Sequence, residues 1–167
     1  MPKSLDPIEI LIRRLQRSAG LEQSELAELR TLQVDVADVA RNEAISREGD
    51  RVEHCMLLVE GFLIRLQHTR GGKRQILSFY VPGDIPDLQT LHLPTMDHSL
   101  AAITPARLGR IPHKSIQELC NRNRRVADAL WRETLIDAAV ARTWVRCVGG
   151  LTARARVAHM LCELHAR

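Results

Sequence analysis

The chain has 167 residues, of which 45% are hydrophobic and 26% are charged, as in ordinary globular proteins. This length fits one domain with an appendage and is enough to bury a core. Arg, Glu or Asp interrupts every apolar run, so we expect no membrane span and no membrane partner. The net charge of +4 is spread along the chain and indicates a nucleic-acid partner only weakly.

The N-terminus and the cysteines bear on the location of the protein and on the state of its thiols. The first ten residues (MPKSLDPIEI) lack the pattern of a secretory signal, which predicts a cytoplasmic protein. No two cysteines have the close spacing of a zinc or redox motif, so we expect reduced thiols, no metal site and no cofactor. These cysteines are Cys55, Cys120, Cys147 and Cys162.

Residues 1–40 are predicted to be a helical segment. Pro7 precedes apolar residues at helical spacing, Gly20 interrupts the pattern, and a second short helix continues to Leu29. Residues 41–121 change character, because short β-branched or aromatic runs alternate with Gly, Asp or Pro. This pattern predicts a small antiparallel barrel or jelly roll, with one hairpin turning at Arg70-Gly71-Gly72.

A long helix follows the predicted strands. No Pro or Gly occurs from Arg124 to Val148, and Gly149-Gly150 ends the pattern, so residues 122–149 form one long helix. Residues 151–167 are again helical. The fold class is therefore α+β, an antiparallel roll preceded by short helices and followed by a long one.

The order of the turn residues carries a family resemblance. Gly49-Asp50, Gly61, Gly71-Gly72 and Pro82-Gly83-Asp84 follow one another at the spacing typical of the Crp/Fnr superfamily of bacterial regulators. The chain resembles this family over roughly residues 40 to 167. The resemblance implies a β-roll of the cyclic-nucleotide-binding type, a dimerisation helix, and a last segment, 151–167, that leads to a helix-turn-helix. Because no further helix-turn-helix pattern follows LCELHAR, we expect a piece of a longer regulator.

The resemblance also places a candidate ligand pocket. In the cyclic-AMP-binding members, a Gly-Glu pair holds the ribose, an Arg-Ser pair holds the phosphate and a Thr-Ser pair reaches the base. The matching positions here are Asp87-Leu88, Met96-Asp97 and Ala141-Arg142, and none of them has the required chemistry. We therefore predict that the chain does not bind cyclic AMP in the usual way. The candidate pocket residues are Asp84, Asp87, Leu88, Met96, Asp97, His98 and Arg142.

The family also contains members that sense through an iron–sulfur cluster or through haem. The iron–sulfur members use clustered N-terminal cysteines, and no Cys precedes Cys55 here. Haem-binding members use a His near the pocket, where His92 and His98 lie. We favour surface or hydrogen-bonded histidines over haem ligands at both positions.

The long helix carries an apolar stripe with a period of about three and a half residues. Together with the resemblance, this stripe predicts a parallel homodimer. The predicted interface residues are Val126, Leu130, Ala141, Trp144 and Val148.

The function predicted from the sequence is the effector-sensing and dimerisation region of a Crp/Fnr-type transcription regulator. Its small-molecule effector is not identified, and it would contact DNA only through a C-terminal domain missing from this chain. The alternative is a stand-alone small-molecule-binding module or adaptor without DNA binding. The sequence contains no nucleophile turn, phosphate loop or His-x-x-x-His pair, so we do not expect an enzyme.

Overall fold

The computed structural model describes residues 6–166. Residues 1–5 of the predicted helical segment and Arg167 of the predicted last segment lie outside this range. The described helices are α1 (Pro7–Ala19), α2 (Gln23–Leu29), α3 (His113–Arg122), α4 (Arg124–Gly150) and α5 (Ala153–Ala166). The described strands are β1 (Asp35–Val39), β2 (Ala44–Ser46), β3 (His54–Glu60), β4 (Leu63–His68), β5 (Arg74–Tyr80), β6 (Ser99–Ala102) and β7 (Ala106–Pro112). A short 3-10 helix at Leu88–Leu91 lies between β5 and β6.

Helix α1 has clear start and stop signals. The Asp6 carboxylate accepts a hydrogen bond from the backbone N–H of Ile8 at 2.9 Å, and Pro7 lies where a missing N–H costs nothing. Gly20 ends the helix with a φ of 60°. The buried side of α1 packs on α4 and β3 through Ile8, Ile10, Leu11, Ile12 and Leu15.

Two antiparallel sheets form the β-roll. Their strand orders are β1-β7-β3 and β2-β6-β4-β5. One core lies between the sheets and contains Leu58, Leu63, Tyr80, Met96, Leu100, Ala102, Ala106 and Leu108. A second core joins β3 and β7 to the helices, and it includes Val126, Ala129 and Leu130 from the first turns of α4. The start of α4 is therefore part of the domain core, whereas its later turns extend beyond it.

The turn between β3 and β4 requires glycine. Gly61 has a φ of 92°, and a Cβ there would lie 2.5 Å from the carbonyl oxygen of Pro105. Any other residue would need both a strained backbone and a displaced neighbour. Close packing therefore explains glycine at this position, which is one of the turn residues that carry the family resemblance.

The predicted α+β class, with an antiparallel roll, N-terminal helices and a long C-terminal helix, is confirmed. The hairpin at residues 70–72 is formed by β4 and β5. The end of the predicted helical segment 1–40 is wrong, because Asp35–Val39 pair with β7 as strand β1. Pairing along a sheet edge suits the valines of this segment better than a helix does. Helix α4 begins at Arg124 because the Asn123 side chain caps it.

No helix within residues 6–166 is long and apolar enough to cross a membrane.

Candidate ligand cradle

The space between the β-roll and α4, which we call the cradle, is bridged by Arg65. This residue lies in the middle of β4, and its guanidinium has three protein partners. Nη1 donates to Oδ2 of Asp137 on α4 at 2.9 Å, and Nη2 donates to the carbonyl oxygen of Pro86 at 2.7 Å. Nε donates to Nε2 of His98 on β6 at 3.2 Å. One cation thus connects the sheet, the loop after β5 and the long helix.

Tyr80 adds a second link to the same helical residue. Its hydroxyl donates to Oδ1 of Asp137 at 3.2 Å, so both carboxylate oxygens are engaged by the β-roll. The Arg65 guanidinium carbon lies 5.3 Å from the centroid of the Tyr80 ring, within the range of a cation–π contact. Burial raises the pKa of the Tyr80 hydroxyl well above its usual range, so the residue remains a neutral donor.

The protonation of His98 follows from its partners. An arginine Nε can only donate, so Nε2 of His98 accepts and the ring proton lies on Nδ1. Nδ1 lies 2.6 Å from Oδ1 of Asp97. Burial and the nearby Arg65 lower the pKa of the buried His98, which agrees with a neutral ring. Both ring nitrogens are therefore occupied, and neither presents a lone pair to a haem iron.

A neighbouring ion-pair system joins α4 to α1. Arg14 donates from Nε to Oε2 of Glu133 at 2.8 Å, and its Nη2 lies 3.4 Å from Oδ1 of Asp84. Asp84 is buried, and its Oδ2 accepts the backbone N–H of Val81 at 2.9 Å. Glu133 and Asp137 lie one helical turn apart, so α4 is attached to the domain at two successive turns.

The cavity at this end of the cradle is small. It measures about 30 Å³ and is lined by polar residues together with Ile85 and Leu88. Ligand pockets for small molecules are about ten times larger or more. The polar residues that line it are Arg14, Tyr80, Asp84, Gln89, Glu133, Thr134 and Asp137.

A larger groove lies beside the cradle, toward the end of α4. It measures about 780 Å³, and the polar part of its wall includes Arg65, His98 and Asp97. Most of the remaining wall is apolar, from β5, α4 and α5. The apolar residues that line it include Ile76, Leu77, Phe79, Trp144, Val145, Val148, Val157 and Met160.

The structure does not bring the predicted pocket residues into one cavity. Asp84 and Leu88 line the small cavity, whereas Asp97 and His98 line the groove. The remaining three line neither space, because Asp87 and Met96 are buried elsewhere and Arg142 is exposed on α4.

The predicted residue Asp87 has a structural role instead. Its Oδ1 accepts the backbone N–H of Met56 at 2.9 Å, which attaches the loop after β5 to β3. Its backbone carbonyl accepts from the Thr90 hydroxyl at 2.7 Å. Burial raises the pKa of this carboxyl to about 7.

Three residues of the cradle, namely Arg65, Tyr80 and Asp137, were not among the predicted pocket residues. Each of the two charged residues leaves a signal in the sequence. Arg65 interrupts the apolar strand FLIRL, and Asp137 interrupts the apolar stripe of the long helix. Charges that break two apolar patterns are expected to pair with each other when both elements are half-buried.

The predicted dimer interface needs correction at two positions. Val126 and Leu130 are wrong as interface residues, because they are buried in the core of their own domain. Trp144 packs on α5, where its Nε1 donates to Oε2 of Glu163 at 2.6 Å and its ring lies 5.1 Å from that of His159. These contacts turn the Trp144 side chain toward α5 rather than leaving it free for a partner. The other two predicted positions, Ala141 and Val148, are exposed.

The exposed apolar residues of α4 follow a different stripe. Trp131, Leu135 and Val145 are 62%, 53% and 75% exposed. With Ala138 and Arg142 they repeat at intervals of four, three, four and three residues, which is the spacing of a coiled-coil seam.

The cysteines are free thiols, with Cys55 and Cys147 buried and Cys162 exposed. Within residues 6–166, no group of three or more His, Cys, Asp or Glu side chains is arranged to hold a metal ion.

Comparison with known proteins identifies the domain. The family model of the cyclic nucleotide-binding domain matches residues 37–123. The transcriptional activator protein FnrL of Cereibacter sphaeroides is 24% identical over 159 residues, which are 93% of this chain and 62% of that protein. The chain therefore spans less than two thirds of this relative.

Solved structures agree with this match. FixK2 of Bradyrhizobium japonicum superposes with a TM-score of 0.74 at 26% identity, over 79% of this chain and 66% of that one. A cyclic nucleotide-binding domain from Methylobacillus flagellatus has a TM-score of 0.71 at 12% identity, over 87% and 85% of the two chains, which shows the shared fold. Since the family model covers more than half of its residues, the chain belongs to the cyclic nucleotide-binding domain family, in the form found in Crp/Fnr-type regulators.

Proposed function

We propose that this chain is the effector-sensing and dimerisation region of a Crp/Fnr-type transcription regulator whose cradle does not accept cyclic AMP. The observation that carries the proposal is the salt bridge between Arg65 and Asp137, which closes the cradle from inside. In such a regulator, a helix-turn-helix recognises the operator. A location in the cytoplasm and the absence of catalysis follow from that role.

The charges of the cradle oppose a cyclic phosphate. A phosphate is held best by a guanidinium with free N–H donors. Here Asp137 already neutralises Arg65, whose remaining nitrogens are bonded to Pro86 and His98. A nucleotide would have to displace these partners and would then face the carboxylate of Asp137 at short range.

The same contacts specify the position of α4 without a ligand. In the family mechanism, an effector shifts the population of helix positions and thereby re-aims the DNA-binding domains. Here the Arg65–Asp137 and Arg14–Glu133 pairs connect the helix directly to the roll and to α1. The helix position then needs no cyclic nucleotide.

We further propose a parallel homodimer through the exposed stripe of α4. A second copy of the same helix fits this stripe, because the coiled-coil spacing repeats on both partners. The proposed seam contains Trp131, Leu135, Ala138, Arg142 and Val145. It differs from the interface that the sequence pattern predicts, whose positions Ala141, Trp144 and Val148 remain an alternative prediction.

The proposal is tested by thermal unfolding with and without cyclic AMP. A ligand that binds only the folded state at about 100 times its Kd adds about 2.7 kcal/mol to the free energy of unfolding. We expect the Tm of the chain to be unchanged at a concentration about 100 times the Kd of a micromolar binder. A rise of several degrees would overturn the claim that the cradle excludes this nucleotide.

The alternative function, a small-molecule-binding module without DNA output, is supported by the groove beside the cradle. Its volume of about 780 Å³ lies within the range of ligand sites. Sedimentation equilibrium of the chain separates the two functions, since a monomer favours the module and a dimer favours the regulator.

A further inference from the structure

The strongest unassigned feature of the surface is its charge near the groove. The two longest stretches of the sequence without an acidic residue are 61–83, which holds the β4–β5 hairpin, and 138–162, which holds the end of α4 and most of α5. Both stretches carry several basic residues.

The fold brings these two stretches together. Gln67 and Gln75, which face each other across the hairpin, line the groove, and so do Arg156 and Val157 of α5. The hairpin tip continues outward from the glutamine pair through the next pair, His68 and Arg74. The base of the hairpin tip and the first half of α5 therefore share one groove.

Five cations define this basic surface, namely Arg70, Lys73 and Arg74 on the hairpin and Arg154 and Arg156 on α5. All except the half-buried Arg156 are exposed. Within residues 6–166, none of the five takes part in an ion pair. The one acidic residue that lines the groove, Asp97, is hydrogen-bonded to His98.

We propose that this basic surface binds the phosphate backbone of double-stranded DNA, independently of base sequence. Arginine suits phosphate oxygens because its planar guanidinium can donate two parallel hydrogen bonds. Cations that neutralise DNA phosphates also release bound counterions, which favours binding without reading the bases. The tip, residues 68–75 (HTRGGKRQ), contains no apolar side chain, although a protein interface normally has an apolar centre. Nucleic acid therefore fits the surface better than an acidic protein does.

The inference rests in part on the proposed function, because a regulator of this type would hold DNA through a domain that follows α5. In that arrangement the sensor region would add contacts beside the operator and strengthen binding without changing its specificity. This role differs from that of the helix-turn-helix, which reads the bases.

The test is fluorescence anisotropy of a short double-stranded DNA of scrambled sequence, titrated with the chain at several salt concentrations. The hairpin variant Arg70→Glu/Lys73→Glu/Arg74→Glu is compared with Arg13→Glu/Arg41→Glu/Arg51→Glu. The control changes the net charge equally at exposed positions that do not line the groove. A glutamine version of the hairpin variant, and circular dichroism of all variants, confirm that the effect is not loss of folding.

Each phosphate contact contributes about 0.9 to the slope of log K against log salt concentration. We expect the hairpin variant to lose about two units of slope or more, the glutamine version to behave similarly, and the control to lose less than about one unit. Equal losses in the hairpin and control variants would overturn the proposal, because only net charge would matter. Binding of polyglutamate but not DNA would overturn it in favour of an acidic protein partner. If the chain dimerises and ignores cyclic AMP but does not bind DNA, this inference fails while the proposed function stands.

Discussion

Arg65 on β4 and Asp137 on α4 form a salt bridge of 2.9 Å across the cradle, 72 residues apart in the chain. The Arg65 and Asp137 side chains are 16% and 27% exposed, so the pair is shielded from water more than a surface pair is. Shielding makes the attraction stronger, and it makes either charge costly when its partner is removed.

We expect Arg65→Met and Asp137→Asn each to lower the free energy of unfolding by about 1–3 kcal/mol. The double variant should cost less than the sum, with a coupling energy of about 1 kcal/mol or more. Urea unfolding measures all three. The matched control is the exposed pair Arg124 and Asp128 on the same helix, where the coupling should stay below about 0.5 kcal/mol. Additive effects at Arg65 and Asp137 would show that the pair does not hold α4.

Most elements of the fold could be predicted from the sequence. The strands, the hairpin and the long helix were predictable, because their signals are local turn residues and apolar periods. The exception was β1, which depends on pairing with β7 from the other end of the domain. A distant partner is invisible to a local pattern.

The cradle was predictable only in part for the same reason. Family positions such as Leu88 and Asp97 showed that the usual contacts are absent, but the replacement partners come from β4, β5 and α4. The prediction also assigned residues from the core-facing side of α4 to the dimer interface. Val126 and Leu130 contact the core, whereas Leu135 does not. Periodicity indicates an apolar face without saying what covers it.

Asp87 should make stability depend on pH. Burial raises the pKa of its carboxyl from 3.8 to about 7, so the folded chain binds this proton more tightly than the unfolded chain. The stability contributed by the neutral carboxyl is fully present below the unfolded value and is lost as pH rises through about 7.

The variant Asp87→Asn keeps an oxygen that can accept the N–H of Met56 but does not titrate. Relative to this variant, the wild type should lose at least about 1 kcal/mol of unfolding free energy between about pH 5 and about pH 8. His98 opposes this trend, since its lowered pKa costs stability at acidic pH, but it is present in both proteins and cancels. Parallel stability curves for the two proteins would contradict a raised pKa, and Asp128→Asn serves as the exposed control.

The proposed seam predicts where a charge breaks the dimer. Leu135→Asp puts a carboxylate at the centre of the exposed stripe, where a second copy would bury it unpaired. Sedimentation equilibrium should then show monomers. Leu161→Asp, at an equally exposed apolar residue of α5, should leave the dimer intact. Dissociation by both variants, or by neither, would place the interface elsewhere.

Trp144 should control α5 rather than dimerisation. Trp144→Phe keeps a ring near His159 but loses the hydrogen bond to Glu163. We expect amide exchange in α5 to accelerate by about one order of magnitude, since the lost bond to a charged group contributes about 1.5 kcal/mol or more. The oligomeric state should not change. Monomers with unchanged exchange in α5 would instead support the seam position that the sequence pattern predicted.

If the chain's own Arg65–Asp137 bridge, rather than a cyclic nucleotide, holds α4 on the β-roll, the backbone amides of residues 133–141 should report it. Amide hydrogen exchange is measured there for the wild type and for Arg65→Met, each with and without cyclic AMP. We expect slow exchange in the wild type that cyclic AMP does not alter, and faster exchange in Arg65→Met. Slower exchange of these amides when cyclic AMP is added to the wild type, or unchanged exchange in Arg65→Met, would refute this role of the bridge.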